Sequence, residues 1–204
     1  MIQGANFAVF NPLNNLITSM VAFMGLNRES ISREQGWIML DAGRKVEQSV
    51  LLVNMLLSTI VNKYNEAVEY NLQESVLVSS ESLVNYRYKY RAHIQLGLVL
   101  DLMLFDGNNP RSLMYQLNHL KNYLESLPKS NGETYLEHDR LLYELFELLK
   151  LAHKDQLVVP DNRRKKYKNL ELFLLSINSL LQAIPEAISK VYFEHAQEQK
   201  QLFS

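Results

Sequence analysis

Apolar residues recur every three or four positions along most of the chain, the spacing of one helix face. No stretch alternates with period two for long enough to make a strand. The tracts V-L-V at 76–78 and L-V-V at 157–159 are short. The strongest helical signal opens at Ser32-Arg33-Glu34-Gln35, which matches a capping box, and runs to about Asn62. With about 100° of turn per residue, Met39, Ala42, Val46, Val50, Val53, Leu57 and Ile60 form one apolar face. Trp37, Leu40, Leu51 and Met55 form a second, nearly opposite one. Arg44 lies within that second face and Glu47 on its flank. A helix apolar on two sides belongs inside a bundle, where charges must be paired or used.

The remaining pattern predicts further helices. Asn11-Pro12 reads as a cap with proline at the first helical position, opening a helix to about residue 26. Residues 72–90 carry Val76, Leu83, Tyr86 and Tyr90 at helical spacing, and a short apolar helix follows at 94–105. Asp106-Gly107-Asn108-Asn109 is turn chemistry, and Asn109-Pro110 starts a helix that stops at Pro128. Ser130-Asn131-Gly132 is a loop before a helix at 133–154, and residues 157–162 connect to a last helix from about Arg163. Pro185 should kink that helix. The expected fold is all-α: one bundle of about seven helices with a long central helix and a Pro-kinked C-terminal helix. A single domain over residues 1–204 is expected, with 1–12 as a boundary segment.

Composition narrows the chemistry. There are 21 basic and 22 acidic residues, a net charge of −1, which offers no global attraction to nucleic acid or a membrane surface. No Cys occurs, so disulfides, thiolate catalysis and Cys-ligated metals are excluded. No signal peptide is read at M-I-Q-G-A-N, and the apolar run L-G-L-V-L-D-L-M-L-F is too short and too polar to span a bilayer. No membrane association and a cytoplasmic location are therefore expected. His93, His119, His138, His153 and His195 are scattered, and His195 with Glu198 is a weak pair, so no metal and no cofactor are expected. P-loop, G-x-G-x-x-G and G-x-S-x-G motifs are absent.

Four features could carry function. Arg44 and Glu47 form a structural i,i+3 ion pair, line a polar pocket, or simply face solvent. Gly43, mid-helix, costs about 1 kcal/mol against Ala and suggests close approach of another helix or a ligand, close packing being preferred. Arg111 near a helix start opposes the helix dipole and needs an anionic partner, Asp101 or Asp106, unless it forms an anion site with Ser112 and free N–H groups. Y-R-Y-K-Y-R (86–91) could stack bases, but Tyr86 and Tyr90 share a face while Tyr88 points elsewhere, which favours packing. The basic cluster R-R-K-K-Y-K (163–168) reads as a solvated face, with phosphate or partner binding as the alternative.

Several blocks together resemble one family. G-W-I-M-L-D-A-G-R-K-V-E-Q resembles the G-W-x-x-L-D-x-G-R-x-x-E-R segment of the bacterial Alpha-E family, and A-F-M-G-L-N-R-E-S-I-S-R before it also fits. S-L-V-N-Y-R-Y-K-Y, L-V-L-D-L-M-L-F-D-G-N-N-P-R-S-L-M-Y-Q-L and I-P-E-A-I-S-K-V-Y-F-E-H resemble later blocks in the same order, so the likeness spans about residues 13–196. It implies an all-helical domain fused to, or encoded beside, a circularly permuted ATP-grasp domain, with transglutaminase-like peptidases as neighbours. Family signature positions fall on Trp37, Asp41, Gly43, Arg44 and Glu47, on Tyr86, Arg87 and Tyr90, and on Asp101, Asn109, Pro110, Arg111, Ser112 and Gln116. Lys45 and Gln48 stand where the family has arginines, so a bidentate role there does not carry over. The family's N-terminal helical portion has no evident counterpart, and the chain resembles the C-terminal portion.

The expected function is an accessory or interaction domain of an ATP-grasp peptide-ligase-type system. Its partner would be the permuted ATP-grasp protein, and a polar groove would hold a peptide or an anionic group. The alternatives are an enzyme of peptide or amide chemistry with Glu47 as general base and Arg44 as electrostatic stabiliser, and a purely structural bundle.

Overall fold

The computed structural model of the chain describes residues 3–30, 32, 34–128 and 136–194. Among them are nine α-helices and no strand: α1 (Gln3–Ser30), α2 (Gln35–Thr59), α3 (Glu66–Ser79), α4 (Leu83–Tyr90), α5 (Leu96–Leu100), α6 (Leu113–Glu125), α7 (Glu137–Leu151), α8 (Lys154–Leu157) and α9 (Lys168–Ser189). The all-α expectation holds. The chain divides into two compact units, residues 1–40 and 41–204.

The first unit contains α1 and the opening of α2. α1 runs through Pro12 instead of starting there. A proline removes one backbone hydrogen bond, and here the helix bridges that gap. Leu16, Ile17, Met20, Val21 and Phe23 are exposed on it. α2 begins at Gln35, with the Glu34 carbonyl accepting from the Ile38 N–H at 3.1 Å, so the helix opens later than the Ser32 box implied.

In the second unit α2 buries Ala42, Val46, Ser49, Leu52, Val53 and Leu56. The core stripe is one face only. Leu51, expected on a second buried face, is 58% exposed.

The helix expected over 72–90 is two helices. Asn65 caps α3, its side chain accepting from the Val68 N–H at 3.0 Å. The Ser80 hydroxyl then donates to the Val76 carbonyl at 2.7 Å, and Glu81 adopts a left-handed φ of 53°. Serine hydroxyls that bond nearby carbonyls compete with helix propagation, and a run of three serines in S-S-E-S ends α3 and restarts the chain as α4.

α5 passes directly into a π-helical turn at Asp101–Phe105. Its Leu102, Met103 and Leu104 are buried, so the apolar run L-V-L-D-L-M-L-F is a core segment. Ser112, not Asn109, caps α6, accepting from the Tyr115 N–H at 3.1 Å. The Ser130-Asn131-Gly132 loop lies outside the described residues, and α7 opens at Glu137. The Arg163–Lys166 cluster precedes α9 in a turn tied by Asn62–Lys166 and Asp161–Lys166 bridges. Arg164 pairs with Asp161 at 3.9 Å and Lys166 with Glu171 at 2.5 Å. α9 contains Pro185 and ends in a second π-helical turn, Lys190–Glu194.

α7 and α9 pack against each other and close the core. Leu170, Leu174, Ile177, Leu181 and Ile184 of α9 are fully buried, at i, i+4, i+7, i+11 and i+14. Lys168–Phe193 is nevertheless long and apolar enough, by length and composition, to cross a membrane, with mean hydropathy 1.4 in its most apolar window. The apolar run at 96–105 is too short for that, and Lys168–Phe193 is the long candidate among the described residues. Its one-sided burial is that of a core helix. Truncating Leu174 to Ala should therefore cost about 2–5 kcal/mol in urea unfolding, whereas Leu172→Ala, at a position 53% exposed, should change stability by roughly 0.5 kcal/mol or less.

Candidate functional site

The signature residues of the second unit fall into two clusters and an outlying stripe. The first cluster joins α4 to the π-helical turn. Tyr86 has no exposed surface; its hydroxyl donates to the His93 carbonyl at 2.9 Å and accepts from the Gln95 N–H at 3.2 Å. Burial raises its pKa, the Gln95 bond working against that shift. The Tyr90 ring lies 5.0 Å from that of Tyr86, and its hydroxyl donates to Asp101 at 2.6 Å. Lys154 reaches the other oxygen of Asp101 at 2.5 Å. Lys89 bridges Asp101 at 3.4 Å and Asp106 at 2.8 Å.

These contacts set the protonation states. Burial pushes Asp101 up, but hydrogen bonds from Lys154 and Tyr90 outweigh it and leave the carboxyl below its ordinary range. Burial also opposes ionisation of Asp106, and the Lys89 and Asn108 donors overcome it. Burial and the Asp101 carboxylate together push the Tyr90 phenol up to about 12. For Lys89, burial favours the neutral amine, and Asp106 and Tyr90 override it, holding the ammonium above its ordinary range. Asp101, Asp106, Tyr90 and Lys89 are thereby held in their resting states at neutral pH, the opposite of a group poised to move a proton.

The second cluster is built on N-N-P-R-S-L-M-Y-Q. Asn109 is buried, and its amide donates to the Leu102 carbonyl at 3.3 Å and to Ser82 Oγ at 3.4 Å. Its carbonyl oxygen accepts from Asn85 at 3.4 Å and from the Arg111 N–H at 3.3 Å. Ser112 donates to the Asp106 carbonyl while capping α6. Gln116 donates to the Pro110 carbonyl at 2.6 Å. The Arg111 guanidinium pairs with Glu81, not with Asp101 or Asp106, whose partners are Lys89 and Lys154.

The outlying stripe is on α2. Arg44 pairs with Asp41 at 3.6 Å instead of Glu47, and Glu47 faces solvent. Asp41, Arg44 and Glu47 bond to none of the residues in the two clusters. Arg87 is exposed and pairs with Glu74 at 3.8 Å. Trp37 is half-buried on the part of α2 that belongs to the first unit. Gly43 is not explained by close packing: a Cβ built there meets nothing within 4 Å. Of the residues expected to line the polar groove, Arg44 and Glu47 lie on α2, Tyr86 and Asp101 belong to the first cluster, and Arg87 and Arg111 pair with Glu74 and Glu81. His195 and Glu198 lie outside the described residues, and no group of three potential metal ligands occurs among the described ones.

A cleft of about 250 Å³ opens beside the second cluster. Gln48, Leu51 and Met55 of α2 line one side, Ser79 the end of α3, and Arg111 and Gln116 the other. Sequence reasoning singled out Arg111 and Gln116, and named Gln48 only as a departure from a family arginine; it missed Ser79, which carries no motif of its own. It also missed Lys154, 53 residues from its partner Asp101.

A family described as Alpha-E, a predicted alpha-helical domain with a conserved ER motif, matches residues 3–193. The chain belongs to the Alpha-E family. No Glu-Arg dipeptide occurs in its sequence; Glu47 is followed by Gln48. Uncharacterized proteins of Mycobacterium bovis and of two strains of Mycobacterium tuberculosis are each 32% identical over 175 residues. That stretch is 85% of this chain and 19% of each relative, so the chain spans about a fifth of the length of the curated relatives it matches. No solved structure matches it.

The charge cluster of this Alpha-E chain generates a pH prediction. Unfolding returns Asp101 and Asp106 to an ordinary value near 3.8, so the unfolded chain binds more protons just below it. Stability from these acids is present above about pH 4 and is lost as pH falls through their depressed values. Urea midpoints measured from pH 6 to pH 2 should fall steeply in the wild type, and Asp101→Asn with Asp106→Asn should flatten that fall while lowering the midpoint at pH 6.

Proposed function

We propose that this Alpha-E chain is a non-catalytic interaction domain of a peptide-ligase-type system, and that its partner is a circularly permuted ATP-grasp protein in the cytoplasm. The observation that carries the reading is the outward face of α2. Gly43, Arg44, Glu47 and Leu51 lie within about 100° of one another on the helix. Gly43 has open space beyond its Cα, and Leu51 is exposed. A mid-helix glycine costs about 1 kcal/mol, and nothing within the second unit uses the room it leaves. A backbone that approaches from a partner would use it, with Arg44 and Glu47 as flanking charges.

Two further observations support the reading. The relatives carry the matching stretch within chains about five times as long, the arrangement of a module serving a larger machine. The acid–base pair that an enzyme would need is not assembled, because Arg44 is held by Asp41 and Glu47 stands apart in solvent. The signature residues of the two clusters are spent on one another, as in a scaffold.

The test is co-elution on a sizing column with the permuted ATP-grasp protein of the same source. A one-to-one complex is expected at tens of micromolar. Gly43→Leu should fold, since its side chain enters open space, and should abolish the complex; Gly43→Ala should add roughly 0.5–1 kcal/mol of stability. No complex, or one that tolerates Gly43→Leu, would contradict the reading.

A further inference from the structure

We infer that the cleft between α2 and α6 binds the free C-terminal carboxylate of a short peptide that ends in an apolar residue. The inference rests on the peptide-handling role proposed above, but the site lies wholly within this chain and is tested without the partner.

Four features of the cleft point to that ligand. First, Arg111 brings a cation to its rim. Its guanidinium pairs with Glu81, whose side chain is 73% exposed. A pair so exposed to water is weak, so an incoming carboxylate can replace Glu81 without leaving a buried charge behind. The planar fork of arginine matches a carboxylate through two parallel N–H donors.

Second, the opposite wall is apolar. Leu51 and Met55 line it, and the thioether of methionine adapts to side chains of differing shape. This wall suits a leucine-like terminal residue. A compact inorganic anion would leave it bare.

Third, Gln116 borders the cleft with an unmet need. The side chain is 96% buried, and its Oε1 finds no hydrogen-bond partner among protein groups. The amide cannot turn over to relieve this, because its nitrogen donates to the Pro110 carbonyl at 2.6 Å; reversal would set two acceptors face to face. A buried carbonyl oxygen without a donor is costly. The oxygen itself has essentially no accessible surface, so the N–H of a terminal peptide bond meets it only as the Gln116 side chain shifts toward the cleft.

Fourth, the size is right. A cleft of about 250 Å³ takes one or two residues and not a folded partner. Gln48 and the Ser79 hydroxyl on the rim offer further polar contacts to the preceding peptide unit.

The experiment is an NMR titration of the full 204-residue chain with N-acetyl-Ala-Leu. The matched probes are N-acetyl-Ala-Leu-amide, which lacks the carboxylate, N-acetyl-Ala-Asp, which lacks the apolar end, and inorganic phosphate. The acetyl-Ala-Leu acid should shift the amides of Leu51, Arg111 and Gln116. The amide and the aspartate peptide should bind at least tenfold more weakly. Arg111→Gln, at an exposed position that leaves the core intact, should weaken the acid by tenfold or more and leave the amide unchanged. Three results would overturn the inference: equal binding of acid and amide, phosphate competing as well as the peptide, or no shift at millimolar acetyl-Ala-Leu. None of them bears on whether the ATP-grasp protein docks at Gly43. A failed co-elution, conversely, leaves the cleft result standing.

Discussion

The second unit depends on one buried amide. Asn109 fills all of its main roles at once: its nitrogen satisfies the Leu102 carbonyl inside the π-helical turn and reaches Ser82 at the start of α4, and its oxygen takes Asn85 and the Arg111 N–H. The turn at Asp101–Phe105 forces this arrangement. A π-helical turn shifts the backbone hydrogen-bond register, and buried carbonyls cannot be left to water. An asparagine offers two donors and an acceptor on a short arm. Around it, Tyr86 closes the α4–α5 connection through its hydroxyl, and Ser112 starts α6 while fastening the Asp106 carbonyl. The motif N-P-R-S therefore holds three helices together before it does anything else.

The polar groups outside that knot divide by what surrounds them. Asp101 and Asp106 are committed to Lys89, Lys154 and Tyr90, and their electrostatics hold the α4–α5 region against the start of α8. Arg111 and Gln116 sit at the edge of the same knot but keep something in reserve: one a weakly held cation, the other an oxygen without a donor. The face of α2 keeps a glycine with open space beside it. Rigid, self-paired chemistry inside and less committed groups at the margin support the proposal of a binding module, and the matching stretch makes up a fifth of its relatives' length.

The all-α architecture was legible because the apolar spacing of α6, α7 and α9 is strong and uninterrupted. Where local bonds override periodicity, the sequence pattern misleads. Pro12 resembles a helix start yet lies within α1, and the Ser80–Ser82 break divides a run that reads as one helix. α2 shows the limit of the helical wheel: Leu51 marks an apolar face, but an apolar face is buried only if something packs on it, and within the second unit nothing does. Spacing placed Arg44 beside Glu47, and Asp41 at the opposite i−3 position captured it instead. Arg111 was read as needing an acid, which it has, but Glu81 lies thirty residues away and has no sequence signal pointing to it. The resemblance to family blocks identified the residues of the knot; only the fold separates those that brace it from those that face the cleft.

The most direct test of this account is the stability of Asn109→Ala, measured by urea unfolding with hydrogen exchange on the same sample. Loss of about 1–3 kcal/mol is expected, from leaving the Leu102 carbonyl and its neighbours without partners. Faster exchange should appear first in α4, the Asp101–Phe105 turn and the start of α6. Native stability with unchanged exchange there would contradict the claim that this amide holds the unit together.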